Sequence, residues 1–192
     1  MALTKLNSAS VIDRLPIGSV LQTVTANDMT STSYASTDSA NPKTVISASI
    51  TPSATNNKIL VFGFISIGNL YSSYTGTLHW LGVRLKRGST VIGETTDLSS
   101  ATTVHGGDAT GARPMHSAIP PATSYHASRP ASIPFHFVDS PITNSATTYN
   151  IQGVIERNGY QYTMLRNIGG YNYNNDELAS ATCNLTLQEI KG

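Results

Sequence analysis

The chain has 192 residues, enough for one domain with a substantial hydrophobic core, and 39% of its residues are hydrophobic. Only 12% of residues are charged and the formal net charge is +1, so the composition offers no basic surface for nucleic acid. A single Cys excludes an intramolecular disulfide, and we expect no cofactor.

The first segment, residues 1–17, is predicted to be a docking arm. It contains no run of seven apolar residues, so it fits neither a secretory signal nor a membrane span, and we expect synthesis in the cytosol. Its apolar residues are spaced for a short amphipathic turn or an extended arm and need a partner to bury them: Leu3, Leu6, Val11, Ile12 and Leu15. The alternative is a frayed terminus.

Three strands are predicted in the first third of the chain. Residues 18–25 alternate in polarity as a strand does, and a polar loop follows with a short strand near residues 32–35. Residues 45–50 form an edge strand that ends at Thr51-Pro52.

The most apolar run is KILVFGFISIG, residues 58–68, and it is predicted to be a central strand. In a sandwich of two sheets, the partner sheet buries only one face of a strand. The second face, with Leu60, Phe62 and Phe64, therefore requires a loop or another subunit over it, which favours an oligomer.

Residues 77–87 are predicted to pair with this central strand, and after a turn residues 90–93 add a short strand. The alternation places Trp80 on the outward face of the predicted strand. An outward aromatic side chain more often packs at a subunit interface than stacks against a bound sugar. The predicted subunit interface comprises Leu60, Phe62, Phe64 and Trp80.

Two stretches lack periodicity, residues 95–131 and 167–180, and each is predicted to be a functional loop or a cap on one end of the sandwich. Imidazole and carboxylate groups in the first loop could hold a metal ion. These groups, His105, Asp108, His116 and His126, have no tight ligand spacing, so we favour solvated or interface histidines and predict no metal.

Three tyrosines, Tyr125, Tyr171 and Tyr173, form a possible loop binding surface for glycans.

Residues 131–166 are predicted to form three consecutive antiparallel strands. Asn158-Gly159 suits a type I′ turn, because both residues tolerate positive φ. The strand at residues 160–166 is therefore predicted to run back beside residues 153–157 as a hairpin. In the closing strand, Cys183 is predicted to be a buried small apolar residue.

The sequence does not suggest an enzyme. Its eleven acidic residues are scattered, without a pair placed for acid and base work, and no phosphate-binding glycine loop or H-E-x-x-H motif is present. Asp139 before Ser140-Pro141 is interpreted as a turn residue, and Glu156 as the solvent face of the hairpin.

Several segments together resemble a module common in virion proteins of tailed phages. They read IGSVLQTVTAND, ASITPSATNNKILV, VRLKRGSTVIGE, DSPITNSATTYNIQ and CNLTLQEIKG. The usual pattern has a strand ending in D-x-P, then T-x-SA-x-TY-x-hydrophobic-Q, and a last strand with T-hydrophobic-T-hydrophobic-x-E-hydrophobic. The resemblance spans residues 18–190 and departs from the pattern at Cys183 and Gln188, where Thr or Met is expected.

Periodicity and composition predict an all-β chain, an antiparallel β-sandwich of jelly-roll type, with the arm followed by a single domain at residues 18–192. The resemblance implies a non-enzymatic structural protein on the virion surface. We favour a capsid decoration (cement) protein, acting as a homotrimer on the major capsid protein or another virion protein. The alternative is a tail-fibre or head-fibre protein that binds a host surface glycan.

Overall fold

The computed structural model describes residues 14–37, 42–70, 80–92, 116–118, 131–156, 162–166 and 182–192. All of the regular elements in these ranges are β-strands, as the alternating sequence predicts. In chain order they are β1 (Val20–Asp28), β2 (Thr32–Thr37), β3 (Lys43–Ile50), β4 (Lys58–Leu70), β5 (Trp80–Arg87), β6 (Thr90–Ile92), β7 (His116–Ala118), β8 (Ala131–Asp139), β9 (Thr147–Glu156), β10 (Tyr162–Arg166) and β11 (Cys183–Ile190). Within these ranges no helix is long and apolar enough to cross a membrane.

The strands form two antiparallel sheets. Sheet A has the order β1-β11-β4-β10-β2, and β8 also pairs with β4. The long strand β4 accommodates three neighbours because β11 pairs with its residues 58–64 and β10 with its residues 67–70, while β8 pairs with residues 59–67. The predicted central position of this strand is confirmed.

Sheet B has the order β3-β9-β5-β6, and β7 pairs with the other half of β5. The orders β1-β11-β4-β8 and β3-β9-β5-β6 are those of the two sheets of an eight-stranded jelly roll, to which β2 and β10 are added in sheet A. The predicted all-β sandwich of jelly-roll type is therefore confirmed. Strand β3 lies at the edge of sheet B, as its sequence predicts.

The core lies between the sheets and consists of side chains from alternate strand positions. In β4, Ile59, Val61, Ile65 and Ile67 are completely buried. The cluster that they form with other strands also contains Val45, Ile46, Ile50, Val83, Leu85, Ile133, Phe135, Tyr149, Ile151, Cys183, Leu185 and Leu187. The predicted burial of Cys183 is confirmed.

The predicted hairpin around Asn158-Gly159 is wrong. Strand β9 lies in sheet B between β3 and β5, whereas β10 lies in sheet A between β4 and β2. Both edges of β10 are used by its ladders to β2 and β4, so it has no edge left to pair with β9. The turn residues themselves lie outside the described residues.

The predicted pairing of residues 77–87 with the central strand is also wrong. Strand β5 belongs to sheet B, and β4 belongs to sheet A. Likewise, the three consecutive strands β8, β9 and β10 are present but alternate between the sheets. In a jelly roll, many consecutive strands lie in opposite sheets, so adjacency in sequence does not by itself produce pairing.

The chain enters the fold beside its last strand. The Gly18 amide donates to the Lys191 carbonyl at 2.8 Å, and the Lys191 amide donates to the Ser19 carbonyl at 2.9 Å. The Lys191 ammonium group also donates to the Leu15 carbonyl at 2.6 Å. The predicted arm therefore joins the described part of the chain at the end of β11.

Candidate functional site

A partly buried ion pair, here called the inter-sheet cluster, joins the two sheets at one end of the sandwich. Asp139 ends β8 in sheet A, and Arg87 ends β5 in sheet B. The Arg87 guanidinium lies 2.8 and 3.0 Å from the two carboxylate oxygens of Asp139, and the Tyr149 hydroxyl of β9 donates to the same carboxylate at 2.6 Å. Asp139 is thus a buried link between sheets rather than the simple turn residue that we predicted.

Burial raises the pKa of the Tyr149 hydroxyl well above its ordinary value, and the hydrogen bond to the Asp139 carboxylate raises it further. The positive charge of Arg87 opposes these effects only in part. Neutral Tyr149 is therefore favoured in the folded chain. Its contribution to stability is fully present below pH 10, the ordinary Tyr pKa, and is lost as the pH rises from 10 towards the folded value.

We expect Tyr149→Phe to destabilise the fold by about 2 kcal/mol, because Asp139 loses a charge-assisted hydrogen bond. At pH values near 10 at which both proteins remain folded, the tyrosinate absorbance of the wild type should equal that of the variant, because the buried Tyr149 hydroxyl does not ionise there. An extra tyrosine titrating near pH 10 in the folded wild type would contradict the buried hydrogen bond.

A second group of buried polar side chains, here called the C-terminal cluster, surrounds Glu189 of β11, which is 1% exposed. Asn57 and Gln22 donate to its carboxylate at 2.5 and 2.6 Å. Ser53 donates both its backbone amide, at 2.6 Å, and its hydroxyl, at 2.8 Å. The cluster ties β1 and the loop between β3 and β4 to the end of β11.

Burial by itself raises the pKa of Glu189. The hydrogen bonds from Asn57, Ser53 and Gln22 all favour the carboxylate, and together they hold its pKa below the ordinary value of 4.5. Asn57 extends the cluster, because its side-chain oxygen accepts a hydrogen bond from the Gly192 amide at 3.1 Å. Glu189 therefore acts as a charged structural anchor.

These clusters use their acidic groups to hold the strands together. Within the described ranges, no three His, Cys, Asp or Glu side chains lie close enough to hold a metal ion. The sequence candidates His105, Asp108 and His126 lie outside those ranges, and the structure gives only the backbone of His116, which begins β7.

The outward face of sheet A carries an apolar stripe, defined as Leu60, Phe62 and Phe64 of β4 with Pro134 and Val138 of β8. Leu60 lies opposite Val138, and Phe64 lies opposite Pro134, in the antiparallel register. Phe64 is 38% exposed and Val138 is 55% exposed, while Leu60 and Phe62 are half-buried. The central strand therefore does present a second apolar face, as its sequence predicts.

Beside the stripe, the same face carries a polar ladder, defined as the outward side chains of β1 and β11. The Asn184 amide donates to the Asn27 side-chain oxygen at 2.6 Å, and the hydroxyls of Thr25 and Thr186 lie 3.4 Å apart. Such cross-strand pairs fix the side chains of a flat surface. The ladder is uncharged.

The outward face of sheet B is different. Arg84 and Lys86 alternate with buried residues of β5 and so point away from the core. Next to them, the hydroxyls of Ser49 and Thr148 lie 2.7 Å apart, and Val91 of β6 is 37% exposed. This face is polar and cationic.

The structure separates the residues of the predicted subunit interface. Leu60, Phe62 and Phe64 share one face of sheet A, but Trp80 begins β5 in sheet B. Of the five apolar residues predicted to dock the arm, Leu15 is described and is half-buried, whereas Leu3, Leu6, Val11 and Ile12 lie outside the described residues. The predicted loop surface of Tyr125, Tyr171 and Tyr173 also lies outside them.

Our reading of the sequence missed both buried clusters, although a signal was present. Glu189 shares strand parity with Leu185 and Leu187, and Asp139 shares parity with Phe135 and Phe137. A polar residue at an inward strand position requires a hydrogen-bonding partner. The pattern thus marks buried polar residues, but not their distant partners.

No family model matches the chain, and no curated protein matches it. Solved structures that resemble it include three of infectious bursal disease virus. A chain of the Gt strain is 14% identical with a TM-score of 0.40, and a chain of the Gx strain is 11% identical with a TM-score of 0.39. A chain of the T13 particle of this virus is also 14% identical, with a TM-score of 0.40.

These alignments cover 89%, 88% and 89% of this chain. They cover 38%, 42% and 36% of the viral chains, so this chain spans about two fifths of their length.

Proposed function

We propose that the chain is a non-enzymatic structural protein of a tailed-phage virion, located on the particle surface. Its favoured role is that of a capsid decoration protein, acting as a homotrimer that stabilises the shell. The proposal rests on the resemblance of residues 18–190 to the phage virion module and on a physical reason for that resemblance.

The observation that carries the proposal is the position of the motif residues in the fold. Asp139 and Tyr149, from the D-x-P and T-Y parts of the motif, meet Arg87 in the inter-sheet cluster. Glu189, from the closing strand, meets Asn57 from the segment ASITPSATNNKILV. Separate parts of the motif thus cooperate in one jelly roll, which supports a shared fold rather than chance similarity of short segments.

Decoration is favoured over receptor binding by the character of the described surface. The apolar stripe suits extended contact with protein, because burial of apolar side chains favours association. A glycan site would instead depend on the loop tyrosines Tyr125, Tyr171 and Tyr173. The arm, residues 1–17, is proposed to dock on the major capsid protein or another virion protein.

The test compares phage particles with and without this protein. Particles that lack it should release their genome at a lower temperature, while host adsorption should not change. Electron microscopy of labelled protein should locate it on the head. A variant without residues 1–13 should retain its far-ultraviolet circular dichroism but fail to join particles.

Two results would contradict the proposal. Particles without the protein that remain fully heat-stable but cannot adsorb would indicate the receptor-binding role. If electron microscopy finds the labelled protein on neither the head nor the tail, the chain is not a virion protein.

A further inference from the structure

We propose that the outward face of sheet A is the contact surface between copies of this chain, with the apolar stripe as its centre and the polar ladder as its rim. The partner is a second copy of the same chain. This inference concerns self-association of the isolated protein and does not depend on the proposed virion role.

The distribution of charge favours self-association through this face. When identical faces meet around a symmetry axis, a charge near the axis comes close to the same charge on another copy. Of the described side chains on the outward face of sheet A, only two are ionisable: Lys58, at the end of β4, and His136, which lies opposite Phe62 within the stripe. Most of this face can therefore meet its own copy without like-charge repulsion.

The outward face of sheet B is less suited to this contact. Arg84 and Lys86 lie on its central strand β5. Two copies meeting through that face would bring their Lys86 ammonium groups close together, and like charges at an interface cost several kcal/mol. The difference in charge between the two outward faces therefore favours sheet A as the contact surface.

The area of the outward face of sheet A indicates how much of this face a stable contact between two copies requires. Four strands about 4.8 Å apart and about 30 Å long give a flat area of about 600 Å², of which the stripe supplies about half. Specific, stable interfaces bury about 1,200 to 2,000 Å² in total, which is about 600 to 1,000 Å² on each partner. The stripe is therefore too small by itself, so the polar ladder must be included, as in interfaces with an apolar centre and a polar rim.

Trp80 is not part of this contact, because its strand lies in the opposite sheet. Val138 and Pro134 of β8 take its place. The inference thus replaces the interface predicted from sequence with one confined to a single sheet.

The test measures the mass of the full chain by light scattering over a range of concentrations. The wild type should have a mass that is a multiple of 20.4 kDa. Phe64→Glu and, separately, Val138→Glu should each weaken association by about 100-fold or more, because a carboxylate enters the apolar centre of the contact. Both side chains are partly exposed, so each variant should fold, as checked by circular dichroism.

Val91→Glu is the matched control, because Val91 is 37% exposed and Phe64 is 38% exposed, but Val91 lies in sheet B. This control should retain the mass of the wild type. A monomeric wild type at all concentrations, or equal weakening by all three variants, would overturn the inference.

A variant without residues 1–13 separates direct contact from contact through the arm. If sheet A faces meet directly, this variant should associate as the wild type does. If it becomes monomeric, exchanged arms hold the copies together and the inference is wrong. If the wild type is monomeric and only the truncated chain associates, its own arm covers the stripe, and the inference is again wrong.

Discussion

Gly63→Ala is expected to destabilise the protein by about 3 kcal/mol or more, enough to prevent folding if the wild type is marginally stable. Gly63 lies in the middle of β4 with φ of +154°, and a Cβ atom there would lie 2.1 Å from the backbone carbonyl oxygen of Asn184 in β11. This oxygen cannot move without breaking the ladder between the two central strands of sheet A. Denaturant unfolding monitored by circular dichroism provides the measurement.

Gly88→Ala is the control for this substitution. Gly88 has φ of +58° in the turn between β5 and β6, and no atom lies within 4 Å of its Cβ position. The cost should be about 1 kcal/mol, from backbone conformation alone. Equal destabilisation by the two substitutions would show that close approach of β4 and β11 does not constrain the fold.

Glu189→Ala is expected to destabilise the protein by about 3 kcal/mol, because the donors of Asn57, Gln22 and Ser53 lose a charged acceptor. Glu189→Gln should also destabilise it, since a side-chain amide has only one oxygen to replace two carboxylate oxygens. Gln188→Ala, one residue away and outside the cluster, should change the free energy of unfolding by less than about 0.5 kcal/mol. Denaturant unfolding at pH 7 compares the three variants.

The charge of Glu189 also predicts a dependence on pH. Because its folded pKa is below 4.5, the carboxylate contributes its full stabilisation above pH 4.5 and loses it as the pH falls through the folded value. The difference in free energy of unfolding between wild type and Glu189→Gln should therefore shrink in acid. A difference that stays constant from pH 7 to pH 2 would show that charge is not the cause.

The experiments on Gly63 and Glu189 concern different levels of organisation. Gly63 permits two neighbouring strands to approach within one sheet, whereas Glu189 anchors strand β11 to a loop and to β1. Ser53 is separated from Glu189 by 136 residues in sequence, and Gln22 is separated from it by 167 residues. Local sequence patterns cannot specify partners at such separations.

The sequence by itself determined that the chain forms β-strands, because alternation of apolar and polar residues is a local property. It identified β4 as the central apolar strand and predicted the apolar character of its second face. It also located β2 and the short hairpin of β5 and β6. These features depend on neighbouring residues and on the turn chemistry of Gly88.

Apart from the hairpin of β5 and β6, only the tertiary structure decided which strands pair. Every edge of a strand offers similar backbone donors and acceptors, so the choice of neighbour depends on packing of the complete core. For this reason β10 joins β4 and β2 rather than β9, and β5 lies in the sheet opposite β4. The same packing joins Asp139 to Arg87, places Glu189 among its donors and leaves Trp80 in the other sheet from the apolar stripe.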